Sequence, residues 1–206
     1  MLIFTKKNLA YLAMPKTGTT AIERALRPHA DIVFSRTGKH MPAARFRSHV
    51  APFVKQTFGS EVETAAVMRE PVDHLRSWYK YRKSPDLTGG ERSTIGVDFD
   101  TFVLNAISDN PPAYADLGNQ HTFLCATTDK VLVHHLFAYE HLHHLIDFFE
   151  TRLKTSISLS PHNVSAPADA NISDATLAKL KVARAKDFAL YNSIVERDGY
   201  LEGEVD

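Results

Sequence analysis

The sequence predicts an α/β protein: a P-loop-like parallel β-sheet flanked by helices, in a single domain spanning residues 1–206. Two observations carry that prediction. Three apolar, strand-like runs (residues 8–14, 62–68 and 131–139) are separated by stretches with helical spacing. That alternation is the pattern of a parallel sheet with crossover helices. Two of the three runs also end abruptly in unusual polar motifs. In open α/β sheets ligands bind beyond the carboxyl ends of the strands.

Asn8 to Met14 reads as a buried strand, closed by a Pro-Lys-Thr-Gly turn. Thr19 to Leu26 begins a helix, with Ala21, Ile22, Ala25 and Leu26 on one face. Asp31 to Phe34 suits a short strand. Met41 to Phe58 is helical in pattern, with Pro52 expected to break or restart it. Val62 to Met68 is the second strong strand, and Val72 to Arg82 the helix after it. Ser84 to Gly96 is a Gly/Pro loop, Phe99 to Ile107 a helix, and Asp109-Asn110-Pro111-Pro112 its stop. Val131 to Tyr139 is the third strand. His141 to Leu153 carries an apolar stripe through Leu142, Leu145, Ile146 and Phe149. Pro161 to Ala170 is a loop, and a final helix capped by Ser173 runs to about Val195.

Composition narrows the function. Lys and Arg number 24, and so do Asp and Glu, for zero net charge. Non-specific nucleic-acid binding needs a basic excess, so no nucleic-acid partner is expected. Hydrophobic residues are 44% and charged residues 23%, the profile of a folded globule. No apolar run approaches the ~20 residues of a membrane-spanning helix, and no membrane partner is expected. Leu9 to Met14 is too short for a signal core and runs into Pro15-Lys16, so a cytoplasmic location is expected. The single cysteine, Cys125, excludes an internal disulfide and reads as a buried thiol.

The first strand-end motif is Met14-Pro15-Lys16-Thr17-Gly18-Thr19-Thr20. A helix N-terminus offers unpaired N–H groups and partial positive charge, a seat for phosphate. Gly18 permits close approach of the backbone, Thr19 and Thr20 add hydroxyl donors, and Lys16 adds a mobile charge. The segment departs from the ATP-binding pattern G-x-x-x-x-G-K-[ST]: Ala13 stands where its first glycine belongs, and Thr19 where its lysine belongs. The second motif is Val67-Met68-Arg69-Glu70-Pro71-Val72-Asp73, with Ser77 eight residues after Arg69. A strand-end arginine and a serine two turns into the next helix can converge on one phosphate.

Together the two motifs resemble the sulfotransferases that use 3′-phosphoadenosine 5′-phosphosulfate (PAPS). In that family a Pro-Lys-x-Gly-Thr-Thr loop holds the 5′-phosphosulfate. A later Arg-x-Pro, with a serine eight residues on, holds the 3′-phosphate. Lys39-His40-x-x-Ala43, Gly118-Asn119-Gln120 to Leu124, Val131 to Glu140, His162-Asn163-Val164-Ser165 and Asp187-Phe188-x-x-Tyr191 are similar to further segments of the carbohydrate-type branch. Glu70 replaces a usual asparagine, and Ala21 replaces the tryptophan of the branch acting on small molecules. The Arg-Lys-Gly motif of that branch is absent, which leaves the adenine contacts unassigned. The resemblance implies a sulfotransferase fold. It places Pro15, Lys16, Thr17, Gly18, Thr19 and Thr20 on the phosphosulfate and Arg69 and Ser77 on the 3′-phosphate.

The implied reaction moves a sulfuryl group from PAPS in line to a hydroxyl or amine of an acceptor, a carbohydrate or other small molecule. Fixed N–H groups and Lys16 would stabilise charge on the leaving phosphate. The acceptor needs a base with a pKa near neutrality, which suits histidine. Of eleven histidines, His40 follows the Gly38-Lys39 turn at the expected rim, and related carbohydrate sulfotransferases use a histidine in a similar place. His49 and His121 are reserves. No metal is expected: His134, His135, His141, His143 and His144 cluster in sequence, but no cysteine or nearby carboxylate pair completes a site. Trp78, Tyr79 and Tyr81, interleaved with Lys80, Arg82 and Lys83, read as part-buried aromatics with exposed cations. An ATP-dependent small-molecule kinase and a non-catalytic nucleotide-binding module are the alternatives. Homodimer formation stays open.

Overall fold

Hydrophobic alternation along short strands builds a sheet that is buried on both faces. In this computed structural model, which describes residues 1–84, 88–159 and 170–205, the strands are β1 (Leu2–Phe4), β2 (Leu9–Leu12), β3 (Ile32–Val33), β4 (Glu63–Met68), β5 (His135–Ala138) and β6 (Tyr200–Glu202). They form one open sheet in the order β3-β1-β2-β4-β5-β6. Ile3, Ala10, Leu12, Ala66, Met68, Leu136 and Ala138 pack into the core on one face. Leu2, Phe4, Leu9, Tyr11, Ala65, Val67 and Phe137 pack into the core on the other. This is the period-2 alternation of a strand.

The sheet is mixed, which corrects the expectation of a parallel one. β2, β4 and β5, the three strong strands of the sequence, do run parallel, with Ala65 opposite both Tyr11 and His135. β1 pairs antiparallel with β2 and with β3, and β6 antiparallel with β5. β1 returns into β2 through a 3₁₀ turn at Thr5–Lys7 and Asn8 in the left-handed region. Such a short hairpin can join only antiparallel strands. β5 is shorter than the expected 131–139: Val131 instead makes an isolated bridge with Cys125, which is buried as expected.

Helices cover both faces. α1 (Thr19–Leu26) buries Ile22 and Leu26 on the second face. The 41–58 segment covers the first face as α2 (Ala43–Arg45), a π-turn (Phe46–Val50) and α3 (Ala51–Phe58). Pro52 stands in the first turn of α3, directly after the π-turn; Val50 and Ala51 stay helical, so the proline comes with a change of helix type in the run and not with a break in it. α4 (Pro71–Arg82), α5 (Phe99–Ala106) and α6 (Gln120–Leu124) follow. α7 (Leu142–Leu153) packs Leu145 and Phe149 beside α1. The expected final helix is two, α8 (Asp174–Ala183) and α9 (Ala185–Val195). Arg184 leaves helical geometry at φ −115° and its guanidinium donates to the Ala106 carbonyl at 3.0 Å. The break lets α8 pack with α4 and α5 while α9 turns onto the sheet. No helix among the described residues is long and apolar enough to cross a membrane.

Candidate functional site

The carboxyl ends of β2, β4 and β5 lie side by side, and each runs into a polar segment. After β2 the chain must reverse within six residues to enter α1. It does so with Lys16 at φ 65° and Gly18 at φ 71°. Thr17 is fully buried and its hydroxyl donates to the Met14 carbonyl at 2.8 Å, which pins the loop from inside. Gly18 is the N-cap of α1, and no side chain caps this helix. The Thr19 and Thr20 N–H groups have no acceptor among the described residues and sit at the positive end of the dipole, while the Ala21 N–H donates to the Gly18 carbonyl at 3.0 Å. Thr19 is buried and Thr20 exposed at that end.

β4 contributes Arg69 at its end. The guanidinium donates from Nε to Asp73 at 2.7 Å, sets a second nitrogen 2.6 Å from the same carboxylate oxygen, and donates to the Lys16 carbonyl at 3.2 Å. Guanidinium N–H donors beyond these remain for a ligand. Asp73 lies one turn into α4, where Glu70 caps the helix by accepting from the Asp73 N–H at 2.7 Å. Glu70 thus fills a capping role.

β5 contributes Tyr139. Its ring lies 4.3 Å from the Arg69 guanidinium, and a Cβ built on Gly18 would sit 3.1 Å from its Cε2. Glu140 accepts from the Tyr191 hydroxyl at 2.6 Å and from the Glu70 N–H at 3.4 Å, tying the ends of β4 and β5 to α9.

Lys16 reaches back across the face of α4. Its ammonium stands 4.1 Å from the Tyr81 ring centroid and 5.7 Å from that of Trp78. Burial and then the Arg69 charge lower its pKa to about 8. Asp73, Ser77 and Tyr81 are spaced i, i+4, i+8 on α4 and so share one face. Ser77 is therefore bracketed by the Asp73–Arg69 pair and by Tyr81 with Lys16. The sequence-predicted residues Pro15 to Thr20, Arg69 and Ser77 are brought to one region.

His40 joins them at the loop's entrance. Its Nδ1 lies 2.6 Å from the Ala13 carbonyl. A carbonyl only accepts, so Nδ1 carries the proton and Nε2 keeps its lone pair. Burial lowers the His40 pKa below its ordinary value, against an opposing contribution from that hydrogen bond. The ring is thus held neutral and in the tautomer of a base. Lys39 pairs with Glu23 of α1 at 2.9 Å and fixes the turn. The reserve histidines have other partners: His49 lies 2.6 Å from the Ser48 hydroxyl, and His121 is buried near Asp129 at 3.5 Å.

Four participants were given no role from sequence, although Gln120, Asp187 and Asp73 stand in the motifs quoted above. His74 is buried, and its Nε2 donates to the Pro15 carbonyl at 3.1 Å. Burial, with Arg69 and Lys16 adding to it, lowers its pKa to about 4. Gln120 is buried and grips Arg69 through both main-chain groups, accepting from N–H at 2.9 Å and donating to the carbonyl at 2.7 Å. Asp187 accepts from the Gln120 and His121 N–H groups at 2.9 and 3.1 Å, so it caps α6 and seats Gln120. Asp73 is the fourth. Its i, i+4 spacing from Arg69 was a readable signal; His74 offered none. A small cleft opens here, lined by Met14, Pro15, His74, Trp78, Asn119 and Gln120 among others. Of the mixed aromatic and cationic stretch, Tyr79 and Arg82 are buried: Tyr79 donates to Val97 and Arg82 to Ala113 and Asp116. The His162–Ser165 segment lies outside the described residues. No family model, curated protein or solved structure matches this chain.

Proposed function

We propose that the protein is a PAPS-dependent sulfotransferase acting on a hydroxyl or amine of a small-molecule or carbohydrate acceptor. The observation that carries the reading is the uncapped N-terminus of α1 flanked by two cations, Lys16 and Arg69, with a neutral histidine at its entrance. Two positive groups near enough for one to lower the other's pKa are stabilised by an anion between them.

The donor fits the donor set present. Loop N–H groups and Lys16 suit the phosphosulfate. The remaining Arg69 guanidinium N–H groups and the Ser77 hydroxyl suit a second phosphate. PAPS supplies an activated sulfuryl group, so the chain has to orient it, balance the charge left on the departing phosphate, and take the acceptor's proton. Lys16 and the α1 amides serve the charge. His40 Nε2 takes the proton while the Ala13 carbonyl holds the ring.

The test is calorimetric titration with 3′-phosphoadenosine 5′-phosphate (PAP), AMP and ATP, with and without magnesium. PAP should bind tightly without metal, and AMP much more weakly. Arg69→Ala should remove most of that difference. If ATP with magnesium binds better than PAP, the kinase alternative takes over. If PAP binds but no acceptor is sulfated across a broad screen, the protein is a nucleotide-binding module.

A further inference from the structure

A second cluster lies behind the site, where β5 passes into α7. His141 precedes α7, and His143 and His144 lie in its first turn. One ligand nitrogen from each of the three comes within 4.8 Å of the other two. The His141 and His144 rings are parallel within 6° at 6.0 Å, and the His143 and His144 rings are 4.1 Å apart. Nε2 of His144 is shielded from solvent and has no hydrogen-bond partner. The nearest oppositely charged atom is an Asp198 carboxylate oxygen at 3.6 Å, beyond hydrogen-bond reach.

Asp198 comes from the far end of the chain, in the turn between α9 and β6. That turn is shaped for its place. Asp198 adopts φ 56° and Gly199 φ 83°. A Cβ on Gly199 would lie 2.5 Å from His141 Cγ, so only glycine lets the ring sit there. The Ala138 N–H donates to the Gly199 carbonyl at 2.9 Å and locks the turn to the end of β5.

We propose that His141, His143, His144 and Asp198 form a site for a divalent transition-metal ion, Zn²⁺ in particular. Three imidazoles and one carboxylate are the borderline nitrogen and oxygen donors that Zn²⁺ takes, in the number a four-coordinate site requires. Tetrahedral geometry at Zn–N of about 2.0–2.1 Å sets the nitrogens roughly 3.3 Å apart. The rings reach that spacing by side-chain rotation, because His143 is exposed and His141 and His144 are only half-buried. The positive end of α7 opposes a cation here, and the Asp198 carboxylate offsets it. The role is structural. The ion bridges the β5–α7 turn to the α9–β6 turn and steadies Tyr139, two residues before His141. It takes no part in sulfuryl transfer, so this proposal stands independently of the sulfotransferase reading.

The test uses tag-free full-length protein, stripped with chelator and titrated with ZnCl₂ and, for its visible spectrum, CoCl₂. One equivalent of Zn²⁺ should bind and raise the thermal midpoint. Removing a ligand should cost at least the roughly tenfold typical of an outer-shell partner, so His143→Ala and Asp198→Asn should each weaken binding by about tenfold or more. His143 is exposed, so its variant keeps the fold. His29→Ala, an exposed histidine elsewhere, should change nothing. Failure to bind one equivalent would overturn the site. Binding that His143→Ala and Asp198→Asn leave intact would overturn it equally.

Discussion

Burial of His74 should make the protein sensitive to mild acid. Its folded pKa of about 4 lies below the ordinary 6.5, chiefly because the ring is buried. The depressed value means that the unfolded chain takes up a proton before the folded one does. Stability is therefore full above pH 6.5, falls as pH drops toward 4, and levels off below. The shift of 2.5 units, at about 1.36 kcal/mol each, has a ceiling of about 3 kcal/mol. Between pH 7.5 and 5.0 the same linkage removes about 2 kcal/mol. A domain's total stability is about 5–15 kcal/mol, so the loss is readily measured. The variant is His74→Gln, whose amide can still donate to the Pro15 carbonyl but does not titrate. Urea denaturation at the two pH values gives the loss for each protein. The variant's loss should be smaller by about 2 kcal/mol. Equal losses would refute the placement of a neutral, buried His74 against the loop.

Three further outcomes follow from the site. Lys16 has a pKa of about 8, and a bound anion raises it; PAP binding at pH 8 should take up a fraction of a proton, read from binding heats in buffers of different ionisation enthalpy, and affinity should fall as pH rises past 8. His40→Ala should lower turnover about 10²–10⁴-fold with PAP affinity unchanged; because the His40 pKa lies below 6.5, wild-type turnover should hold down to that pH and fall only in more acid solution. Gly18→Ala adds a Cβ at φ 71° and 3.1 Å from Tyr139; it should destabilise the fold by about 1–2 kcal/mol in urea melts and weaken PAP binding, because Tyr139 also backs Arg69.

The three parallel strands and the helices after the first two were legible because each buries its own periodic apolar set. Both strand-end motifs were legible for the same local reason: their residues are contiguous, or two helical turns apart. β1 and β6 were not. Each has three residues, too few for periodicity, and each exists only because a neighbouring strand offers an edge. One long helical pattern concealed the split at Arg184, whose partner, Ala106, lies 78 residues away.

The sequence by itself determined the α/β class, the Pro-Lys-Thr-Gly loop before α1, and the placement of Arg69 at a strand end, because these rest on local spacing. Only the tertiary structure decided that Arg69 is shared with Asp73 and the Lys16 carbonyl. The same holds for the tautomer that the Ala13 carbonyl imposes on His40, for Gln120 seated by Asp187, and for Asp198 beside three histidines. These contacts join residues distant along the chain or depend on which face of an element is buried. Such pairings follow from how elements pack, and no local pattern encodes them.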